Sequence, residues 1–242
     1  MGDHQINSLP ELNRVVESLQ AIENILKREE ILVEINSSNG KVSARIKIEQ
    51  DLYDLCTIYT TLNAQTGGEV SYKISSYPVT EFHSILSIIS PLIPKMRYLA
   101  KNPSMLTVTL AEDAHRDILQ CERILTVREF LTNSEITPDW ASSIEPAPPE
   151  NLLISVFPFR DSFYVSIYMV QPTTDPLREM HVHSTPFNYS PKSVVQINGQ
   201  RYMIEHSIIA SQCHQTLTRI LRLIHSANED LETLSSLKKS QL

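Results

Sequence analysis

The chain has 242 residues, 41% hydrophobic and 20% charged, with a net charge of −7. That balance supports a folded core and disfavours nucleic acid, whose phosphates need a basic footprint. No apolar run approaches the roughly 20 residues of a membrane span, and the polar stretch Met1–Pro10 lacks the apolar centre of a signal peptide.

In chain order, Ser8-Leu9-Pro10-Glu11 reads as a helix start, with Ser8 as cap, Pro10 in the first turn and Glu11 in the capping-box position. Leu12, Val15, Leu19, Ile22 and Leu26 repeat at threes and fours and predict a helix to about Arg28. Ile31–Ile35 and Val42–Ile48 read as two strands of a hairpin. Residues 51–62 are ambiguous: Leu52, Leu55 and Tyr59 suit a helix, Thr57–Thr61 a strand. Val70, Tyr72 and Ile74 alternate as a further strand after a turn at Thr66-Gly67-Gly68.

Phe82, Ile85, Ile89, Leu92, Met96 and Leu99 form a second helical stripe. Pro91 and Pro94 lie inside it and predict a kink or restart near Ser90. Thr109-Leu110-Ala111-Glu112 matches a capping box and predicts a third helix to about Leu131, with Ala114, Ile118, Cys121 and Leu125 on one stripe. Residues 132–149, with Pro138, Pro146, Pro148 and Pro149, read as an extended connector in which Trp140 is an anchor to the core or, as the second reading, a partner contact. Strands are then expected at 152–159, 162–171, 179–184, 193–197 and 200–205. Asn198-Gly199 between the last two is a strong hairpin signal.

From His206 to Leu237 there is neither glycine nor proline. Ala210, Cys213, Leu217, Ile220, Ile224, Ala227, Leu231 and Leu234 recur at the spacing of a coiled-coil seam. A helix of this length needs a partner for its apolar face, and the first helix carries the same rhythm. The expectation is therefore an α+β fold. An antiparallel helical bundle is built from both chain ends (8–30, 80–131 and 206–238), beside a separate antiparallel β region (31–75 and 150–205). The stripe narrows beyond Ala227 to Leu231, Leu234 and Leu237, among Glu229, Asp230, Glu232, Lys238 and Lys239. These last turns are read as frayed or as a docking site, with Leu231, Leu234 and Leu237 as candidate partner contacts and the acidic residues as a solvated face.

Chemistry-bearing motifs are sparse. No phosphate-binding glycine loop, no nucleophile elbow and no His-Glu-x-x-His occurs, and five glycines leave little material for such loops. His181 and His183 share one strand face and could approach a metal with His206 or Glu205, although nothing completes a tetrahedral set. They read more simply as exposed edge residues. His206, His214 and His225 are placed on the last helix at spacings that form no chelate. Cys56, Cys121 and Cys213 are odd in number and widely spaced, as in reduced thiols of a cytosolic protein. Cys121 and Cys213 are expected as small buried hydrophobes. No catalytic, metal-binding or cofactor-binding residue is assigned.

The segments Pro149-Glu150-Asn151-Leu152-Leu153-Ile154-Ser155-Val156, Phe163-Tyr164-Val165-Ser166-Ile167-Tyr168 and Ile197-Asn198-Gly199-Gln200-Arg201-Tyr202-Met203-Ile204-Glu205-His206, leading into the heptad helix, resemble the Rogdi family of leucine-zipper-domain-containing proteins. The resemblance implies a non-enzymatic adaptor without cofactors. It further implies a subunit of the RAVE/rabconnectin-type complex that promotes V-ATPase assembly. The implied partners are a large WD-repeat protein and V-ATPase subunits. The implied location is the cytoplasm, peripheral at endomembranes through those partners. By itself the chain is expected to be a monomer that binds no nucleic acid. Two other readings stay open. One is an enzyme or small-molecule binder with a site between Phe157 and His183, where Phe157, Phe159, Phe163, Tyr164 and Tyr168 supply aromatic surface. The other is a homodimeric coiled-coil tether through the last helix.

Overall fold

The computed structural model describes residues 9–29, 31–36, 42–48, 56–63, 69–74, 79–127, 144–147, 151–176, 192–197 and 200–240. The fold is α+β, and the chain divides into two compact units. One unit is Met1–Glu29, Thr80–Thr126 and Gln215–Leu242; the other is Glu30–Val79 and Val127–His214.

The first unit is a bundle of four helices: α1 (Pro10–Arg28), α2 (Thr80–Lys101), α3 (Val108–Thr126) and α4 (Gln215–Lys239). The chain ends pack together. Arg14 pairs with Asp230 and Glu29 with Arg219, so α1 and α4 run antiparallel. Glu112 pairs with Lys239 and Glu122 with Asn228, so α3 and α4 also run antiparallel. A short connection containing one 3₁₀ turn, Pro103–Met105, joins α2 to α3. Each helix buries one stripe: Leu12, Val15, Leu19, Ile22 and Ile25 on α1, and Ala111, Ala114, Ile118, Cys121 and Leu125 on α3 are all fully enclosed. Burial of such stripes is the main favourable term in the bundle, about 1.5–3 kcal/mol for each large aliphatic side chain.

Helix ends depart from the expected signals in instructive ways. Leu9, not Ser8, occupies the N-cap position of α1 and has no side-chain cap; Pro10 follows in the first turn, where its missing N–H costs nothing. Ser8 lies outside the described residues. The cap of α3 is Thr107, whose Oγ1 accepts the Leu110 N–H at 3.2 Å, so the helix begins before the expected box at Thr109. As described it ends at Thr126, short of Leu131.

Helix α2 passes through Pro91 and Pro94 as one assigned element, without a restart at Ser90. Both prolines are exposed, so the carbonyls deprived of their N–H partners lie on the outward side. Ser90 instead donates to Glu23 Oε1 on α1 at 2.8 Å, in a cluster with Lys27. Burial alone would raise the Glu23 pKa. The bonds from Lys27 and Ser90 outweigh it and hold the carboxyl below its usual range.

The second unit contains two antiparallel sheets. The first is a meander in the order β1 (Ile31–Asn36), β2 (Val42–Ile48), β3 (Cys56–Asn63), β4 (Glu69–Ile74), β5 (Ile144–Glu145). The ambiguity at 51–62 resolves to strand from Cys56, in register with β2 through Ile46↔Ile58; residues 51–55 lie outside the described set. Ile144–Glu145, in the expected connector, pairs with β4. Trp140, the turns at 37–40 and 66–68, and the expected strand at 179–184 lie outside the described residues.

The second sheet comprises β6 (Leu152–Phe159), β7 (Ser162–Pro172), β8 (Lys192–Ile197) and β9 (Gln200–Ala210), in the order β6-β7-β9-β8. Residues 154–159 and 162–168 are buried on both faces, which explains why these strands read as apolar runs. Phe157 stacks on Tyr164 at 5.6 Å and Phe159 meets Tyr164 edge-on at 5.9 Å, with Ile208 packed against them. Burial, aided by the Asp161 charge, pushes the Tyr164 phenol up. Arg160 has φ 54° in the two-residue turn between β6 and β7, a conformation that disfavours a side chain, and its guanidinium lies 5.3 Å from the Phe159 ring.

Strand β9 corrects the expected start of the last helix. Residues 206–210 are strand: Tyr168 lies opposite His206, Val165 opposite Ile209 and Tyr164 opposite Ala210. Ile208 and Ile209 are in register with Ser166 and Val165 of β7, so the three-four rhythm there is accidental. The loop 211–214 then extends the pairing. Ser211 and Phe163 exchange bonds at 2.8 Å, and the His214 N–H donates to Asp161 O at 2.6 Å. His214 Nε2 donates to Leu32 O on β1 at 3.0 Å, joining this loop to the first sheet.

Candidate interaction surface on the last helix

The seam of α4 is fully occupied within one chain. Leu217, Ile220, Ile224, Ala227, Leu231 and Leu234 have no exposed surface. This corrects the candidate contact set. Leu231 and Leu234 belong to the bundle core, because α1 and α3 flank α4 to its end through Arg14–Asp230 and Glu112–Lys239. A fully enclosed side chain cannot receive a partner unless the bundle opens. Only Leu237 remains on the surface, 42% exposed.

The last turns are not frayed. Helix α4 runs to Lys239, the Ser240 N–H donates to Ser236 O at 3.1 Å, and Ser240 Oγ donates to Leu237 O at 2.8 Å. The outward stripe of these turns forms a shallow open depression lined by Glu229, Glu232, Thr233, Ser236, Leu237 and Ser240. It exposes one aliphatic side chain among two carboxylates and three hydroxyls.

Asp230 does not belong to that solvated face. It is 8% exposed and accepts from Arg14 Nη2 at 2.6 Å and Nε at 3.1 Å. The bond from Asp230 raises the Arg14 pKa despite some desolvation. Asn228 is also buried and donates to Glu122 Oε2 at 3.3 Å, while its Oδ1 has no partner among the described residues. The sequence placed both beside acidic neighbours at the helix's end; only the pairing of α4 with α1 and α3 reveals which of them turns inward.

Of the histidines expected on α4, His206 is in β9 and His214 in the loop before the helix. Only His225 is helical, facing Glu229 Oε1 at 3.2 Å. Cys213 is exposed and lies ahead of α4, so it is not a seam residue, whereas Cys121 is buried and burial pushes its thiol up to about 12. His181 and His183 lie outside the described residues. Among the described residues, no group of three His, Cys, Asp or Glu could hold a metal ion. The aromatic residues Phe157, Phe159, Phe163, Tyr164 and Tyr168 are all core, at most 6% exposed, and therefore do not line an open site.

No protein-family model matches the chain, and no curated protein matches it significantly. Among the described residues, no helix is long and apolar enough to cross a membrane. The fold and surface thus define an α+β protein with a four-helix bundle closed within one chain.

Proposed function

We propose that this protein is a non-enzymatic adaptor: a scaffold subunit, similar to the Rogdi family, of a complex that promotes V-ATPase assembly. Its partners are a large WD-repeat protein of the rabconnectin type and V-ATPase subunits. It acts in the cytoplasm and reaches endomembranes through those partners.

The observation that carries this reading is the layout of the segments that bear the resemblance. Residues 152–156, 163–168 and 200–206 lie on three neighbouring strands of one sheet, β6-β7-β9, in which Ile154 faces Ile167 and Tyr168 faces His206. Segments distant in sequence thus share one sheet, as parts of a single inherited module would. The closed bundle supports the scaffold role, because its helices satisfy one another and leave exposed side chains such as Leu237 for contact.

The test is affinity purification of the tagged protein from its own cells, followed by mass spectrometry. Enrichment of V-ATPase subunits together with a WD-repeat protein is the expected result. A purification that enriches neither rejects the specific assignment.

A further inference from the structure

We propose that the outward face of the second half of α2 is a docking surface for an acidic segment of a partner protein, separate from the surface at the end of α4.

From Phe82 to Ala111 the chain has no aspartate or glutamate, in a protein whose net charge is −7. The cations in that stretch are Lys95, Arg97 and Lys101, and all three are exposed. Among the described residues none of them meets a carboxylate. The carboxylates Glu23, Glu112 and Asp113 of the flanking helices already hold Lys27, Lys239 and Arg116. Among the described residues the positive charge on α2 is therefore not matched by an ion pair, against the sign of the chain as a whole.

Apolar side chains sit among these charges. Tyr98 is 55% exposed and lies three residues from both Lys95 and Lys101. At 100° per residue it points away from the buried stripe of Phe82, Ile85, Ile89, Leu92, Ile93 and Met96, with the lysines to either side. Met105, in the 3₁₀ turn that follows, is also 55% exposed. Tyrosine, arginine and methionine are the types enriched where proteins bind proteins, and tyrosine and arginine carry most of the energy there. Exposed Pro94 adds a rigid apolar surface one turn away. A lipid surface is the weaker match, since the apolar face of α2 is already spent on the bundle core and cannot enter a bilayer. Charge complementarity then selects a glutamate- or aspartate-rich partner, with an apolar residue to cover Tyr98.

The intact protein is tested by fluorescence anisotropy. The probe is a labelled peptide of Glu-Glu-Leu repeats, compared with its Gln-Gln-Leu counterpart and with phosphatidylcholine vesicles containing phosphatidylserine. Binding of the acidic peptide is expected, weakening with salt. A triple charge reversal (Lys95→Glu, Arg97→Glu, Lys101→Glu) should weaken it at least about tenfold, and Tyr98→Ala should also weaken it. Reversing three other exposed cations (Arg28→Glu, Arg123→Glu, Arg222→Glu) gives the same net charge and should have little effect. If the reversed protein does not fold, the neutral set Lys95→Gln, Arg97→Gln, Lys101→Gln replaces it, with the same expected loss. The proposal is overturned if the acidic peptide does not bind, if both sets of reversals weaken it equally, or if only vesicle binding depends on the α2 cations.

Discussion

Arg14 and Asp230, 216 positions apart in the chain, form a bidentate pair in which Nη2 and Nε both donate to the carboxylate. The pair sets the register of the first helix against the last. A one-turn slip of α4 would move Asp230 by about 5.4 Å and leave its buried charge without a partner. Arg14→Ala and Asp230→Ala should each lower the unfolding midpoint, and the double variant should lose less than the sum of the two. A double-mutant cycle with zero coupling would show that the pair contributes nothing.

The seam and the surface of α4 make opposite predictions for the same substitution. Leu231→Ala and Leu234→Ala should each cost about 2–5 kcal/mol in chemical denaturation, because each leaves a cavity in an enclosed site. Leu237→Ala should stay within roughly 0.5 kcal/mol. Equal costs at all three positions would contradict the burial described above.

The closed seam also predicts the state of association. Because the apolar stripe of α4 is satisfied within one chain, the free protein should be a monomer by light scattering across a dilution series. A dimer that persists on dilution and is lost on Leu237→Asp would mean that the outward stripe pairs between copies.

Cys121 predicts an alkaline dependence. Burial, with the Asp117 charge, raises its pKa from 9.0 to about 12 in the folded state. Between those values the unfolded chain loses the thiol proton while the folded chain keeps it, so folding stability falls as pH rises from about 9 to 12. Cys121→Ala should lower stability at neutral pH and flatten this part of the pH profile. Unchanged steepness would mean that the thiol ionises freely in the fold. In the native protein a thiol reagent should modify Cys213 well before Cys121, as read by peptide mapping.

Local patterns made much of the fold legible. Period-three-four stripes located α1, α2 and α3, because in a helix spacing decides which residues share a face, and alternation located β2 and β4 for the same reason at period two. The α+β class and the packing of the two chain ends followed from the matched stripes of α1 and α4. Where two periods overlapped, pattern alone misled. Residues 206–213 carry helical spacing, yet the unpaired side of β7 from Tyr164 to Pro172 captured 202–210 as strand β9. Hydrogen bonds to a distant strand outweighed a local rhythm.

The candidate surface was legible only in outline. The sequence by itself determined that the last helix is amphipathic and that its charge clusters near the end. It also determined that the stretch from Phe82 to Ala111 is free of acids. Only the tertiary structure decided that Leu231, Leu234 and Asp230 face inward while Leu237, Glu229 and Glu232 face out. The reason is geometric. Spacing places residues on a face of their own helix, but whether that face is core or surface depends on how far α1 and α3 extend alongside it, and that contact is made by residues more than a hundred positions away.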